Sequence, residues 1–217
     1  MKIDKNKIWI ASFDPGSVNF SFCIEEVDID KLKTVKKIKL TKNTDKIEYE
    51  KNLNNVYTSC KNILTRNTNL TKGCDKSKYI DLKVCYNITE YLDSYKDYFD
   101  NCSYIVVEQQ MSFGKKKNTL CVKIAQHILS YFIINYHTFK TIVEYPSYNK
   151  TQVLNAPKKM DKPERKKWAV MKALDILDKR RDKETMKHIE NSKKKDDLSD
   201  TIVMTQSFIY TNLVLEE

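Results

Sequence analysis

Four acidic residues stand where their side chains could do chemistry together. Asp14 follows a short apolar run, and Glu108 comes directly after the four apolar residues 104–107. Asp197 and Asp200 are three residues apart at the start of a predicted helix, so their carboxylates project on one helix face. Carboxylates that converge repel one another, and they ionise together only when a cation neutralises them. These acids therefore predict a cation site.

The chemistry of such a site follows from its oxygen ligands. Carboxylates without accompanying His or Cys favour Mg²⁺, with Mn²⁺ able to substitute, over zinc. The histidines, at 127, 137 and 188, form no ligand-spaced set and are interpreted as structural or surface residues. Two hard cations roughly 3.5–4 Å apart would activate a water and stabilise the leaving oxygen of a phosphodiester. Taken singly, Asp14 is also an ordinary turn acid, and Asp197 and Asp200 are ordinary acids at a helix start.

Hydrophobic periodicity predicts the elements that must position the acids. Strands are predicted over 8–13, 19–26, more weakly over 34–40, and then over 104–107 and 141–145. Helical spacing is found over 49–63 and 77–99, from Thr119 as N-cap, from Pro163 towards Arg180, and after Asp196. This order predicts one α/β domain, residues 1–217, with a meander followed by parallel strands reached through helical crossovers. The charge-dense span 180–195 is predicted to be surface or partly mobile.

Parallel first and central strands would place Asp14 and Glu108 side by side. Both residues then lie at the carboxyl ends of their strands. In open α/β sheets this is the edge where ligands usually bind.

Composition favours a polyanionic partner. The 217 residues carry 39 Lys+Arg against 29 Asp+Glu, a net charge of +10, and 41% hydrophobic residues exclude global disorder. Nucleic acid is the first partner to consider. Because lysine supplies nearly all of the positive charge, biased codon usage is an alternative explanation for it.

The cysteines and the N-terminus favour an intracellular protein with no membrane partner. None of the six cysteines forms a C-x-x-C pair, which argues against a zinc ribbon or a thioredoxin-like site. The first residues lack the apolar core of a signal peptide, and no apolar run approaches the roughly 20 residues that span a bilayer. Reduced thiols are therefore expected.

Three ordered motifs resemble those of the poxvirus Holliday-junction resolvases, which are RuvC-type members of the RNase H-like superfamily. The motifs are Phe13-Asp14-Pro15-Gly16 with Asn19-Phe20-Ser21, Val106-Val107-Glu108-Gln109-Gln110-Met111, and Lys194-Lys195-Asp196-Asp197-Leu198-Ser199-Asp200. The resemblance covers residues 8 to about 209. It implies an RNase H-like mixed five-stranded sheet flanked by helices, with an extra helix, within 45–73, inserted between strands 3 and 4.

The resemblance also implies an activity and its residues. It implies a homodimer that resolves four-way DNA junctions with Mg²⁺ by paired symmetric nicks, in viral recombination and genome processing in the host cytoplasm. The matching catalytic residues are Asp14, Glu108, Asp197, Asp200, Lys150 and Lys194. The matching metal ligands are Asp14, Glu108, Asp197, Asp200 and Asp196.

Basic residues near these acids are candidates for DNA contact. They are Lys115, Lys116, Lys117, Arg165, Lys166, Lys167, Lys193 and Lys195. Phe113 is either a wedge between bases at the branch point or a packing residue. Two other functions stay open, namely a nuclease that cuts RNA in RNA–DNA hybrids and a non-catalytic protein that binds branched DNA.

Overall fold

A mixed sheet lies at the centre of the molecule. The computed structural model describes residues 6–74, 81–112 and 118–215. Within these ranges five strands form one sheet in the order β3-β2-β1-β4-β5. β1 pairs antiparallel with β2, β2 pairs antiparallel with β3, and β4 runs parallel to both β1 and β5. The strands are β1 (Lys7–Asp14), β2 (Phe20–Asp28), β3 (Cys60–Thr68), β4 (Cys102–Gln109) and β5 (Thr141–Pro146).

Helices cover both faces of this sheet, as predicted. They are α1 (Ile29–Leu32), α2 (Lys46–Thr58), α3 (Leu82–Asp93), α4 (Lys96–Phe99), α5 (Thr119–Tyr136), α6 (Asn149–Val153), α7 (Lys162–Lys179), α8 (Lys183–Asn191) and α9 (Lys195–Asn212). The predicted helix over 77–99 is divided into α3 and α4, and residues 75–80 lie outside the described ranges. The N-cap of α5 is Asn118 rather than Thr119. None of the described helices is both long enough and apolar enough to cross a bilayer.

Alternation along the strands separates two cores. Ile10 and Val106 pack with α2, α7 and α9 on one face of the sheet, which we call the α9 face. Phe13 and Val107 lie in the other core, with α3, α4 and α5. That second core is rich in aromatic rings, and the ring of Phe13 lies 5.1 Å from that of Phe132. Because side chains alternate at every residue, the face on which Asp14 and Glu108 lie follows from the apolar residues that precede them.

The prediction of the third strand over 34–40 is wrong. That segment has no regular secondary structure, and the backbone N–H and C=O of Ile38 instead bond to the hydroxyl of Tyr210 at 2.8 Å. The third strand is β3, which takes up residues 60–63 of the predicted helix. Buried Leu53, Val56, Cys60 and Leu64 recur at three- and four-residue steps, so the helical spacing continues across the real boundary. As a result α2 lies between β2 and β3, and not between strands 3 and 4.

The prediction of a surface location for 180–195 is correct for most of its residues, which are exposed, but the span also contains α8 and one buried cation, Arg180. Arg180 donates to both carboxylate oxygens of Glu25, at 2.9 and 3.1 Å, and to the carbonyl of Tyr57 at 2.7 Å. The side chains of Arg180 and Glu25 are 4% and 0% exposed. Charge density along the chain cannot reveal this pair, because the two residues are 155 positions apart.

Consecutive polar residues hold α9 against the sheet. Thr205 donates to Ser12 of β1 at 2.7 Å, and Gln206 donates to Glu25 of β2. Ser207 shares a hydrogen bond of 2.8 Å with the hydroxyl of Tyr145 in β5. Bonds to β1, β2 and β5 leave α9 little freedom to slide or rotate over the sheet. Its first turn is thereby held at the carboxyl ends of β1 and β4.

Candidate active site

Asp14 and Glu108 lie side by side at the carboxyl ends of two parallel strands. Phe13 of β1 pairs with Val107 of β4, so the next residue of each strand is an acid. Alternation places both acids on the α9 face, and the adjacency expected from parallel pairing is observed. Gly16 closes the turn after Asp14 and donates from its N–H to the Asp14 carbonyl at 2.9 Å. A Cβ at position 16 would lie 2.7 Å from the carbonyl oxygen of Asn19, so the turn requires glycine.

Lys150 lies between the acids of the strands and those of α9. Its ammonium nitrogen is 2.7 Å from Oε1 of Glu108 and 3.2 Å from Oδ1 of Asp200. The exposed fractions of the three side chains are 9% for Lys150, 11% for Glu108 and 28% for Asp200. The helix that carries Lys150, α6, follows β5 directly, and the hydroxyl of Tyr49 donates to the Val153 carbonyl at 2.6 Å. The sequence resemblance implied that Lys150 is a catalytic residue, and the structure places its ammonium group among the acids.

The carboxylates of this cluster have opposing proton affinities. Burial, followed by the charge of Glu108, raises the pKa of Asp14 well above its ordinary value. Burial also opposes ionisation of Glu108, but the charge of Lys150 and hydrogen bonds from Lys150, Asp14 and Gln110 outweigh it and lower the pKa. Asp200 has a raised pKa because of burial and the charge of Glu108, against the opposing effect of Lys150. Glu108 is thus the ionised partner of Lys150, and Asp14 retains its proton more readily.

The first turn of α9 adds two acids, Asp196 and Asp197, whose pKa values are shifted in opposite directions. Burial and the charge of Asp196 raise the pKa of Asp197 to about 6. One carboxylate oxygen of Asp197, Oδ2, is buried and has no hydrogen-bond partner among the described residues. Asp196 forms an ion pair with Lys166. Burial disfavours the charge of Asp196, but the hydrogen bond from Lys166 outweighs it and lowers the pKa.

The residues present fit a hard divalent cation. In the described ranges, no three His, Cys, Asp or Glu side chains are grouped so that they could hold a metal ion as they stand. The ammonium of Lys150 neutralises Glu108 and Asp200 instead. The buried oxygen of Asp197 without a partner, and the raised pKa of Asp14, mark positions where a cation would relieve an electrostatic cost. All of these donors are carboxylate oxygens, the ligands that Mg²⁺ prefers.

The predicted DNA-contact residues are distributed around this cluster. Arg165, Lys166 and Lys167 lie exposed in the first turns of α7, and Lys166 is engaged by Asp196. Lys193, Lys194 and Lys195 are exposed at the start of α9, where the charge of Lys194 acts to lower the pKa of Asp197. The remaining candidates lie outside the described residues, and they are Phe113, Lys115, Lys116 and Lys117.

Sequence reasoning did not single out two neighbours of the acids. Gln110 donates to Oε2 of Glu108 at 3.2 Å, and its position two residues further along the chain was an available signal. Cys121, in the first turn of α5, has a pKa raised by burial and then by the charges of Asp14 and Glu108. Nothing in the sequence placed Cys121 near the acids, because periodicity within α5 does not give the position of this helix relative to β4.

Comparison with known proteins identifies relatives in invertebrate viruses. The chain is 36% identical to Uncharacterized protein 170L of Invertebrate iridescent virus 6, with 93% of this chain and 88% of that protein aligned. It is 30% identical to Uncharacterized protein 97L of Invertebrate iridescent virus 3, with 92% and 98% aligned. No family model matches the chain.

Several solved structures share the architecture. A Fowlpox virus resolvase in complex with Holliday junction DNA has a TM-score of 0.55 at 14% identity, with 96% of this chain and 100% of that chain covered. RuvC of Thermus thermophilus has a TM-score of 0.53 at 11% identity, with 94% of each chain covered. The yeast mitochondrial Holliday junction resolvase Ydc2 has a TM-score of 0.54 at 12% identity, with 93% of this chain and 77% of that chain covered. The chain therefore has the fold that these three resolvase structures share, and it belongs to the family of invertebrate iridescent virus proteins that includes 170L and 97L.

Proposed function

We propose that this chain is a metal-dependent endonuclease that resolves four-way DNA junctions by paired symmetric nicks, in viral DNA recombination and genome processing. The observation that carries the proposal is the convergence of Asp14, Glu108 and Asp200 around Lys150 at the carboxyl ends of β1 and β4. The fold shared with the Fowlpox virus resolvase and RuvC supports it by analogy. The expected location in the host cytoplasm stays a prediction.

The proposal assigns a role to each predicted catalytic residue. Asp14, Glu108, Asp197 and Asp200 would hold Mg²⁺, with Mn²⁺ able to substitute, and Asp196 would join them once its pair with Lys166 opens. The bound metal supplies an activated water and stabilises charge on the phosphodiester. Lys150 balances the negative charge of Glu108 and Asp200, and in the proposed reaction it would donate to a phosphate oxygen. Lys194 lies exposed beside Asp197, where an approaching strand would meet its charge.

Substrate and assembly follow from charge and symmetry. Exposed cations at the starts of α7 and α9 would contact DNA phosphates, which positions DNA without reading its sequence. These are Arg165, Lys166, Lys167, Lys193 and Lys195; for Lys115, Lys116, Lys117 and Phe113 the same role stays a prediction. A four-way junction has two-fold symmetry, so a C2 homodimer with one site per protomer matches two symmetric cuts. We also propose that residues 1–217 form one catalytic domain.

Two other functions have some support. A nuclease acting on RNA–DNA hybrids is compatible with the RNase H-like fold and the same carboxylates. A non-catalytic protein that binds branched DNA is compatible with Lys150 neutralising Glu108 and Asp200 in the present arrangement. Convergence of several buried acids favours the nuclease over the binding protein, because unpaired acids in such a position cost stability without contributing to DNA affinity.

The test compares substrates and variants under the same conditions. Purified protein is incubated with a synthetic four-way junction, an RNA–DNA hybrid or a linear duplex, with Mg²⁺ or with EDTA. We expect nicking of the junction only with Mg²⁺, and direct linearisation of a supercoiled plasmid that extrudes a cruciform. Cleavage of the hybrid alone would overturn the junction proposal, and a bound but uncut junction would favour the binding protein.

Matched variants test the site itself. Asp14→Asn and Glu108→Gln remove charge with little change in shape, and we expect each to lower the nicking rate at least ~100-fold while junction binding persists. Asp97→Asn is the control, because Asp97 is exposed on α4 on the opposite face of the sheet. If Asp97→Asn lost activity to the same extent, the loss would not be specific to the carboxylate cluster.

A further inference from the structure

A polar groove opens at the turn that follows Asp14 and at the start of α9. It has a volume of about 390 Å³ and lies between the turn after β1, the end of β3 and the α8–α9 connection. Its principal lining residues are Asn19, Asn67, Asn69, Asn191, Lys193 and Lys194. The sequence analysis predicted DNA contact only for Lys193 and Lys194; Asn191 is their near neighbour in the chain, whereas Asn19, Asn67 and Asn69 come from distant segments.

The chemistry of this groove differs from that of the neighbouring acids. Among the residues that the structure describes, no Asp or Glu lines the groove, and its lining consists mostly of asparagines, hydroxyl residues and lysines. Within the described residues neither Lys193 nor Lys194 forms an ion pair. Oδ1 of Asn69 accepts from the N–H and hydroxyl of Thr71 at 2.9 and 2.7 Å, so its NH₂ group is the part left to donate. Amide donors combined with unpaired ammonium groups suit a phosphodiester backbone rather than a metal ion or an apolar ligand.

Both walls of the groove are tied to the acids. Asn19 belongs to the tight turn that follows Asp14, and the partner of Asp14 in β2 is Ser21. On the other wall Lys194 precedes Asp197 by three residues, and its charge acts to lower the pKa of Asp197. A DNA strand with one phosphate at the carboxylates would therefore continue into this groove.

We propose that the groove binds the sugar-phosphate backbone of the cleaved strand on one side of the scissile phosphate. Lys193 and Lys194 pair with backbone phosphates, and the amides of Asn67 and Asn69 donate hydrogen bonds to the same segment. The inference rests on the proposed function and adds to it the path of the strand next to the cut. Because the contacts are to the backbone, the groove positions the scissile phosphate and does not select a base sequence.

The experiment uses junctions in which a single phosphate is replaced by an uncharged methylphosphonate, at each position within a few nucleotides of the cut. Binding is measured in EDTA, so that the junction stays intact. For the unmodified chain we expect the substitution to raise Kd about tenfold at one or two positions on one side of the cut. For the Lys193→Ala variant, a methylphosphonate at the same positions should raise Kd little further, because the contact between Lys193 and that phosphate is already lost.

Asn67→Asp adds one negative charge without changing the size of the side chain. We expect this variant to raise the Kd for the unmodified junction at least tenfold while its melting temperature stays unchanged. Asn43→Asp, in the exposed loop before α2, is the matched control with the same change of charge. The double variant Lys193→Ala/Lys194→Ala should also reduce the slope of log K against log salt by about two.

Failure of the groove and failure of the proposed function give different results. If the unmodified chain nicks junctions but Lys193→Ala and Asn67→Asp bind and respond to methylphosphonates as it does, the groove proposal is overturned alone. If the unmodified chain neither binds nor nicks junctions, the proposed function fails and the groove proposal fails with it.

Discussion

Replacement of Lys150 by methionine tests the electrostatic balance of the candidate site. Methionine retains a long apolar side chain but removes the ammonium that lies 2.7 Å from Glu108 and 3.2 Å from Asp200. Removing one partner of a buried ion pair typically costs ~3–5 kcal/mol, because the remaining charge is left uncompensated. Asp200 is 28% exposed, so water offsets part of this cost, and we expect Lys150→Met to lower the free energy of unfolding by ~2–4 kcal/mol. For a chain of this length that corresponds to a fall in Tm of roughly 5–15 °C.

The measurement is thermal unfolding at pH 7.5 in EDTA and again with Mg²⁺. Lys166→Met is the control, since Lys166 also pairs with an acid of the first turn of α9 but is 45% exposed. We expect Lys166→Met to lower the free energy of unfolding by less than ~1 kcal/mol. Mg²⁺ should raise the Tm of Lys150→Met more than that of the unmodified chain, because a divalent cation can then neutralise the acids that Lys150 no longer neutralises.

The pH dependence has a defined sign. Burial opposes the charge of Lys150, but the charges of Asp200, Glu108 and Asp14 outweigh it and raise the pKa, so Lys150 stays protonated at neutral pH and below. The pKa of Glu108 is lowered, so the stability that its ion pair with Lys150 contributes is lost as the pH falls and Glu108 becomes protonated. The difference in stability between Lys150→Met and the unmodified chain should therefore shrink below about pH 4. Equal losses in Lys150→Met and Lys166→Met would refute the assignment of Lys150 as the buried counter-ion.

Two further predictions concern groups away from Lys150. The pKa of Asp197 is raised to about 6, so ionisation of Asp197 opposes folding as pH rises from about 4 to 6. Asp197→Asn should therefore raise the free energy of unfolding by ~1–2 kcal/mol at pH 7.5 in EDTA. A stabilisation that persists at pH 4 would contradict this cause. Arg180→Met should lower the free energy of unfolding in urea by ~3–5 kcal/mol, because it leaves Glu25 in the core without its counter-ion. The control is Lys179→Met, which removes a partly exposed ion pair with Asp175 and should lower it by less than ~1 kcal/mol. Equal losses in the two variants would be inconsistent with the buried pair.

The α/β class, four of the five strands and the adjacency of two acids could be predicted from the sequence. Asp14 and Glu108 each end an apolar strand, and alternation places both on one face once their strands are parallel. The start of α9 was also predicted, because Asp197 and Asp200 are spaced for one helix face and are followed by apolar residues at helical steps. These inferences succeed because strand and helix periodicities are local properties, which neighbouring residues report directly.

The third strand could not be predicted in the same way. Leu53 and Val56 lie in α2 and Cys60 in β3, yet all three continue one three- and four-residue spacing. The strand forms because this segment pairs with β2. The pairing is antiparallel and runs from Val27 with Cys60 to Phe20 with Thr68. Local preference was overridden by pairing with a distant strand.

The sequence by itself determined which residues could carry the chemistry and which face of each element they occupy. Only the tertiary structure decided that Lys150 lies between Glu108 and Asp200, that Arg180 is buried against Glu25, and that the end of β3 and the start of α9 form one groove. The physical reason is that periodicity describes rotation and alternation within one element. The relative positions of distant elements depend on packing and on cross-element bonds, such as those that hold α9 to β1, β2 and β5.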